Sequence, residues 1–236
     1  MSAVPVEHVD DLQAYADSVA GCTRCRLSQG RTQVVFGAGN PHADLMFVGE
    51  APGFHEDKQG LPFVGQAGKL LEQLLAQIGL QRGDVYIANV LKCRPPGNRD
   101  PQPDEIAACS KYLDGQIAAI APKVIVTLGR HSMQRYFPGE AISRIHGQPR
   151  RKDGLIVVPM YHPAAALHQA SLRKVIEADF SRLPEFLRKT LGGEAITSAP
   201  DVPPHLRAGA SAGAPITARA PASEPAEAEP QQMRLL

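Results

Sequence analysis

Four cysteines and three polar residues at strand ends carry the chemistry open to this sequence. Cys22 and Cys25 form a C-x2-C pair in "GCTRCRLSQG", and Cys93 and Cys109 follow far downstream. A C-x2-C turn lets two thiolates face one metal centre. Four cysteines in a reducing compartment serve as metal or cluster ligands, as catalytic groups or as small buried hydrophobes. Spacing alone does not choose among these, nor between iron and zinc, which both accept four thiolates. The second set is Glu50 in "GEAPG", Asn89 in "NVLKC" and His162 in "YHPAAAL". A carboxylate, an amide and an imidazole on one edge would bind a small polar ligand and stabilise charge or move protons on it.

Four short apolar runs place these residues. "DLMFV" (44–48), "VYIANVL" (85–91), "KVIVTL" (123–128) and "LIVVPM" (155–160) are β-rich and nearly continuous, as in parallel strands buried on both faces. Helical spacing fills the gaps. It covers "AGKLLEQLLAQIGL" (67–80) and "PDEIAACSKYLDGQIAAIA" (103–121), which opens on Pro-Asp-Glu, a good helix start. A short helix is expected from Arg130, a last one over 171–189, and an N-terminal one over 6–20 that Gly21 ends. The alternation predicts an α/β fold, a three-layer α/β/α sandwich around a central four-stranded parallel sheet with right-handed crossovers. Ligands bind outside the carboxyl ends of such strands. Glu50, Asn89, the Gly129-Arg130 turn and His162 each stand at the end of one of the four. Gly49, Gly53, Gly60, Gly65 and Gly68 permit close backbone approach and helix-start amides suited to phosphate. The Walker lysine pattern and GxGxxG are both missing, so a nucleotide cofactor is a weak reading.

The chain has 236 residues, 43% of them hydrophobic, and a formal net charge of +1. That supports one core and a tail. A neutral total can hide a basic face, so a polyanionic partner is neither required nor excluded. No apolar run reaches the ~20 residues of a membrane helix. The first residues show no charged-then-apolar leader, and a cytosolic protein is expected. Residues 1–190 read as one folded domain with an N-terminal cysteine segment, a domain that the resemblance given below implies is catalytic. Residues 191–236 are rich in Ala, Pro, Gly and Ser and read as a disordered tail.

Three motifs in order carry a resemblance: "GEAPGFHEDKQGLPFVGQAGKLL" (49–71), "NVLKCRPPGNRDPQPDEIAAC" (89–109) and "HPAAAL" (162–167). From about Cys22 to Leu187 the chain closely resembles the family 4 uracil-DNA glycosylases, the iron–sulfur type of bacteria and archaea. The resemblance implies the uracil-DNA glycosylase fold and a monofunctional enzyme of base excision repair. Such an enzyme hydrolyses uracil from single- or double-stranded DNA and leaves an abasic site, here as a monomer. It also implies a [4Fe–4S] cluster on Cys22, Cys25, Cys93 and Cys109. Its role would be structural, stapling the 93–109 loop to the N-terminal helix.

The same resemblance implies roles in the pocket. Phe63 stacks on the base, Asn89 accepts from uracil N3–H and donates to O4, and His162 donates to O2 as charge develops. Gly49 and Ala51 line the base pocket, and Leu167 is the wedge that fills the vacated stack. Each has a plainer reading: Phe63 as core, Asn89 bonded to its own backbone, His162-Pro163 as a turn. Ala51 stands where the best-known uracil-DNA glycosylases carry a water-positioning aspartate. Glu50 is therefore the first candidate to hold the water, with Glu56 and Asp57 behind it. Gly53 replaces the tyrosine that excludes the thymine methyl group, which leaves that task to the loop, Glu56 first. "RPPGNRDPQP" holds no histidine, so covalent trapping on DNA is not expected. Arg94, Arg99, Arg130, Arg144, Arg150, Arg151, Lys152 and Arg173 bring positive charge near the face, some of it for phosphates.

Overall fold

The computed structural model describes residues 12–190. The predicted tail, and residues 6–11 of the predicted first helix, lie outside the described residues. Six strands form one sheet: β1 (Ala38–Gly39), β2 (Leu45–Gly49), β3 (Tyr86–Asn89), β4 (Val124–Leu128), β5 (Arg150–Lys152) and β6 (Leu155–Met160). Their order is β1-β3-β2-β4-β6-β5. The inner strands β3, β2, β4 and β6 run parallel and are the four predicted ones. The sheet is nevertheless mixed rather than purely four-stranded, because β1 and β5 add antiparallel edges. Both edges are too short for an apolar run, and β5 is made of charged residues. The turn that closes the β5–β6 hairpin is readable all the same. Asp153 and Gly154 both take positive φ, 49° and 81°, as the Asp-Gly pair of a tight hairpin does.

The pleat divides the core in two. Leu45 and Phe47 face one way, and Met46 and Val48 the other. On the first face lie α3 (Gln66–Gln77) and α8 (Ala170–Thr190), burying Leu71, Leu74 and Leu75, and Ile176, Phe180 and Leu183. Phe47 stacks on Phe180 with centroids 5.9 Å apart. On the second face lie α1 (Leu12–Ala20) and α4 (Pro103–Ile120). Tyr15 of α1 meets Phe36 edge-on at 5.3 Å. It also presses on Gly115 of α4, where a Cβ would come 2.5 Å from its hydroxyl. The three predicted layers are thus present.

Four further helices are short: α2 (Phe54–Gln59), α5 (Arg130–Gln134), α6 (Ile142–Ile145) and α7 (Pro163–His168). The start of α4 follows its sequence. Pro103 is its first residue, and the Glu105 carboxylate accepts from the Gln102 amide at 2.9 Å in a capping box. Glu105 also receives the Arg99 guanidinium at 2.9 and 2.6 Å. The loop after Cys93 is therefore fixed to the helix that carries Cys109. Parallel register sets Gly49 beside Asn89 and Leu128 beside Met160. Glu50, Asn89, Gly129 and His162 consequently leave the sheet along one edge.

Candidate active site and cysteine centre

A cleft of about 650 Å³ opens at that edge, and Glu50, Ala51, Phe63, Asn89, His162 and His168 are among the residues lining it. Asn89 ends β3 and is 2% exposed, and its Oδ1 finds no hydrogen-bond partner in the protein. An unpaired buried acceptor costs about 1–3 kcal/mol, and this one is open to a donor that enters the cleft. Gly49 makes room for it: a Cβ there would lie 2.4 Å from Asn89 Oδ1 and 2.7 Å from the Phe63 ring.

Phe63 is held in an unusual conformation, with φ of 53°. Its carbonyl accepts from Arg82 Nη1 at 2.8 Å, and Arg82 Nη2 donates to the Pro62 carbonyl. The amides of Val64 and Gly65 both donate to Glu56 Oε1 at 2.9 Å. Close packing of α3 needs a glycine at 68, where a Cβ would reach 1.8 Å from the Phe63 carbonyl. These restraints set the Phe63 ring 5.4 Å from the His162 ring, at an interplanar angle of 26°. Phe63 is at once part of the core and a wall of the cleft.

His162 precedes α7, and its Nδ1 accepts from the Ala164 amide at 3.1 Å. In the neutral ring the proton is then on Nε2. Burial depresses the imidazole from 6.5 to about 4, against a weaker upward pull from Glu56. His162 is thus a neutral donor at physiological pH. Leu167 and His168 separate on α7: Leu167 is 50% exposed, whereas His168 lines the cleft.

Glu50 is half-buried, and burial pushes its carboxyl above the usual range. His131 and Arg130 oppose the rise, while Asp100 adds to it. Its Oε2 lies 3.8 Å from His131 Nε2, and Asp100 Oδ1 lies 3.5 Å from the same nitrogen. One ligand atom from each of Glu50, Asp100 and His131 falls within 4.8 Å of the others. A cation is already there, since the Arg130 guanidinium binds both Asp100 and His131. The Glu50 carbonyl accepts from the Leu91 amide at 3.0 Å, which leaves the carboxylate as the group facing the cleft. Asp57 does not reach the cleft. It is 3% exposed and accepts from the Thr32 amide at 2.8 Å, as a strut.

The four cysteines are free and line one cavity with Val19, Leu27, Arg31, Leu91 and Tyr112. Cys22 follows α1, Cys93 follows β3 and Cys109 lies within α4. Donors already face the sulfurs: Tyr112 Oη to Cys22 at 3.1 Å, the Lys92 amide to Cys109 at 3.3 Å and Arg31 Nη1 to Cys93 at 3.6 Å. Such contacts can steady thiolates that hold a metal or a cluster.

Three residues that the sequence did not single out support this site: Arg82 on the Phe63 loop, His131 beside Glu50, and Lys92. Lys92 is 1% exposed, and its Nζ donates to the Asn89 carbonyl at 2.8 Å and to Gln116 Oε1. Burial lowers its ammonium to about 7. It joins the end of β3 to α4 and the cysteine centre. A lysine closing the apolar run "VYIANVLK" was the available signal. Of the predicted basic face, Arg99, Arg130, Arg150 and Arg173 pair with Glu105, Asp100, Glu140 and Glu177. Arg94, Arg144 and Arg151 meet no carboxylate among the described residues.

The family model described as "Uracil DNA glycosylase superfamily" matches residues 36–187. The chain is similar to the type-4 uracil-DNA glycosylase of Sulfurisphaera tokodaii, 52% identical over 75% of this chain and 85% of the relative. That of Archaeoglobus fulgidus is 46% identical over 78% of this chain and 96% of the relative. The type-5 uracil-DNA glycosylase of Thermus thermophilus is more distant, 30% identical over 52% of this chain and 71% of the relative. The chain belongs to the uracil DNA glycosylase superfamily, and within it to the type-4 family.

Proposed function

We propose that this protein removes uracil from DNA by hydrolysing the N-glycosidic bond, leaving an abasic site. One observation carries the reading: the unpartnered Oδ1 of Asn89, the Nε2 donor of His162 and the Phe63 ring meet in one cleft. An enzyme acting on a base must first take it out of the stack. The extruded uracil lies against Phe63. Its N3–H donates to Asn89 Oδ1, and its O4 accepts from the Asn89 amide. Cytosine has no proton at N3 and an amine in place of O4, so it mismatches both.

As the N1–C1′ bond breaks, its electron pair passes to the base and charge gathers on O2. His162 Nε2–H donates to O2 without transferring its proton, which is electrostatic stabilisation of the leaving anion. The Glu50 carboxylate holds the water and stabilises the cation-like sugar. Water oxygen bonds to C1′, and its proton leaves through Glu50. No lysine is among the residues lining the cleft, so a Schiff base and strand scission are not expected.

Cys22, Cys25, Cys93 and Cys109 would hold a [4Fe–4S] cluster, which supplies a crosslink and no step of the hydrolysis. Free thiols of this kind suit a reducing cytoplasm. The test is a labelled oligonucleotide with one uracil, single-stranded and opposite guanine, in EDTA, beside a thymine control. Alkali-dependent breaks at uracil alone are expected. No breaks from protein with intact visible absorbance would overturn the reading.

A further inference from the structure

The cleft does not end at the base pocket. The helix α2 reads FHEDKQ; Asp57 is buried, and Glu56 is half-buried in the cleft wall. Glu56 is taken by the Val64 and Gly65 amides, and Asp57 by the Thr32 amide. What α2 exposes most is Phe54, His55, Lys58 and Gln59, an aromatic ring with a lysine on the same helix. Phe54 lines the cleft and is 49% exposed, although burying such a ring normally stabilises a fold. The Arg94 guanidinium lies 5.1 Å from its centroid and the Lys58 ammonium 6.0 Å. Neither cation pairs with a carboxylate among the described residues. Arg94 is oriented by Asn98, whose Oδ1 accepts from its Nε at 2.7 Å.

Pro95 links this rim to a second cleft of about 390 Å³, lined by Gln29, Arg94 and Pro96 among others. An exposed ring beside unpaired cations, continuous with a groove, is how proteins hold single-stranded nucleic acid. The ring stacks a base of any identity, and the cations take phosphates. We propose that Phe54 is the stacking shelf for the base next to the extruded uracil, with Arg94 and Lys58 holding the adjoining phosphates. The strand then runs over Pro95 into the second cleft. This rests on the reading of the pocket as a uracil site.

The test places 2-aminopurine on one or the other side of 2′-fluorodeoxyuridine, which resists excision, in a single strand. With the wild type, one of the two probe positions is expected to fluoresce less than with Phe54→Ala, and Phe54→Trp restores the quenching. On ordinary single-stranded substrate Phe54→Ala raises KM about tenfold, the low end of what base–aromatic stacking gives, with kcat within about twofold. On a uracil flanked by abasic spacers the two proteins have equal KM. Unchanged quenching and KM in Phe54→Ala, or an equal KM loss on the spacer substrate, would overturn the shelf. A wild type that releases no uracil at all would sink the pocket reading instead, and the quenching still reports on Phe54.

Discussion

The main-chain amide of Ala164 donates to Nδ1 of His162 over 3.1 Å, and this single contact decides which ring nitrogen is left to donate. With Nδ1 occupied as an acceptor, Nε2 is the donor. Losing one such donor costs about 100- to 1000-fold in turnover. His162→Ala is expected to fall in that range in single-turnover assays while keeping its circular dichroism. Burial holds the folded imidazole near 4, against 6.5 for the free group. Between those values the unfolded chain takes up a proton that the folded chain does not, so stability rises with pH across the window. The wild type should lose more Tm than His162→Ala on going from pH 6.5 to 4.5. An equal loss in both would mean that His162 titrates normally.

Glu50 should give the rate an acid limb. Burial lifts its carboxyl above the ordinary range, and it must be ionised to hold water or sugar cation. The single-turnover rate should therefore fall as pH drops through that raised value. His162 is already neutral there and adds no inflection near 6.5. Glu50→Gln should be slow and lack the limb. A Glu50→Gln variant that keeps the wild-type pH profile would move the water to another residue.

Asn89 sets function against stability. Its Oδ1 is buried without a partner, which costs folding free energy until a ligand arrives. Asn89→Ala is expected to keep or raise Tm while losing uracil excision by at least 100-fold. A marked drop in Tm would show that the side chain bonds within the fold, as a strand-end asparagine often does.

Much of the fold and of the lining of the cleft is legible in the sequence. The inner strands are continuous apolar runs, and the strand-end rule alone brought Glu50, Asn89 and His162 to one edge. The edge strand β5 escaped because Arg150–Lys152 carries no apolar pattern, and its Asp153-Gly154 turn was the only mark. The inward turn of Asp57 was not readable, since a six-residue helix has too few residues to declare its faces. Arg82 on the Phe63 carbonyl and Lys92 on the Asn89 carbonyl are contacts across loops, which no periodicity encodes.

The cysteine centre should behave as a fastener. Cys93 and Cys109 bracket the loop that Arg99 and Glu105 also brace, and Cys22 and Cys25 follow the helix packed on α4. Cys93→Ala should lose the brown iron–sulfur absorbance, and its Tm should fall. Because Asn89 and His162 sit on the sheet edge, whatever folded fraction remains should keep measurable excision per molecule. Stoichiometric zinc and no iron by elemental analysis of the wild type would contradict the assignment. Unchanged Tm in Cys93→Ala would deny the fastening role.

Leu167 tests how the base leaves the duplex. It is one of the two large hydrophobics exposed among the described residues, at 50%, on the helix that His162 begins. An apolar side chain there can enter the stack as the uracil departs and offset the unstacking cost of a few kcal/mol. A single strand has no such stack to refill. Leu167→Ala should therefore lower kcat/KM on duplex uracil about tenfold and on single-stranded uracil much less. Leu167→Phe should recover part of the duplex loss. Equal losses on the two substrates would show that Leu167 shapes the pocket instead of opening the duplex.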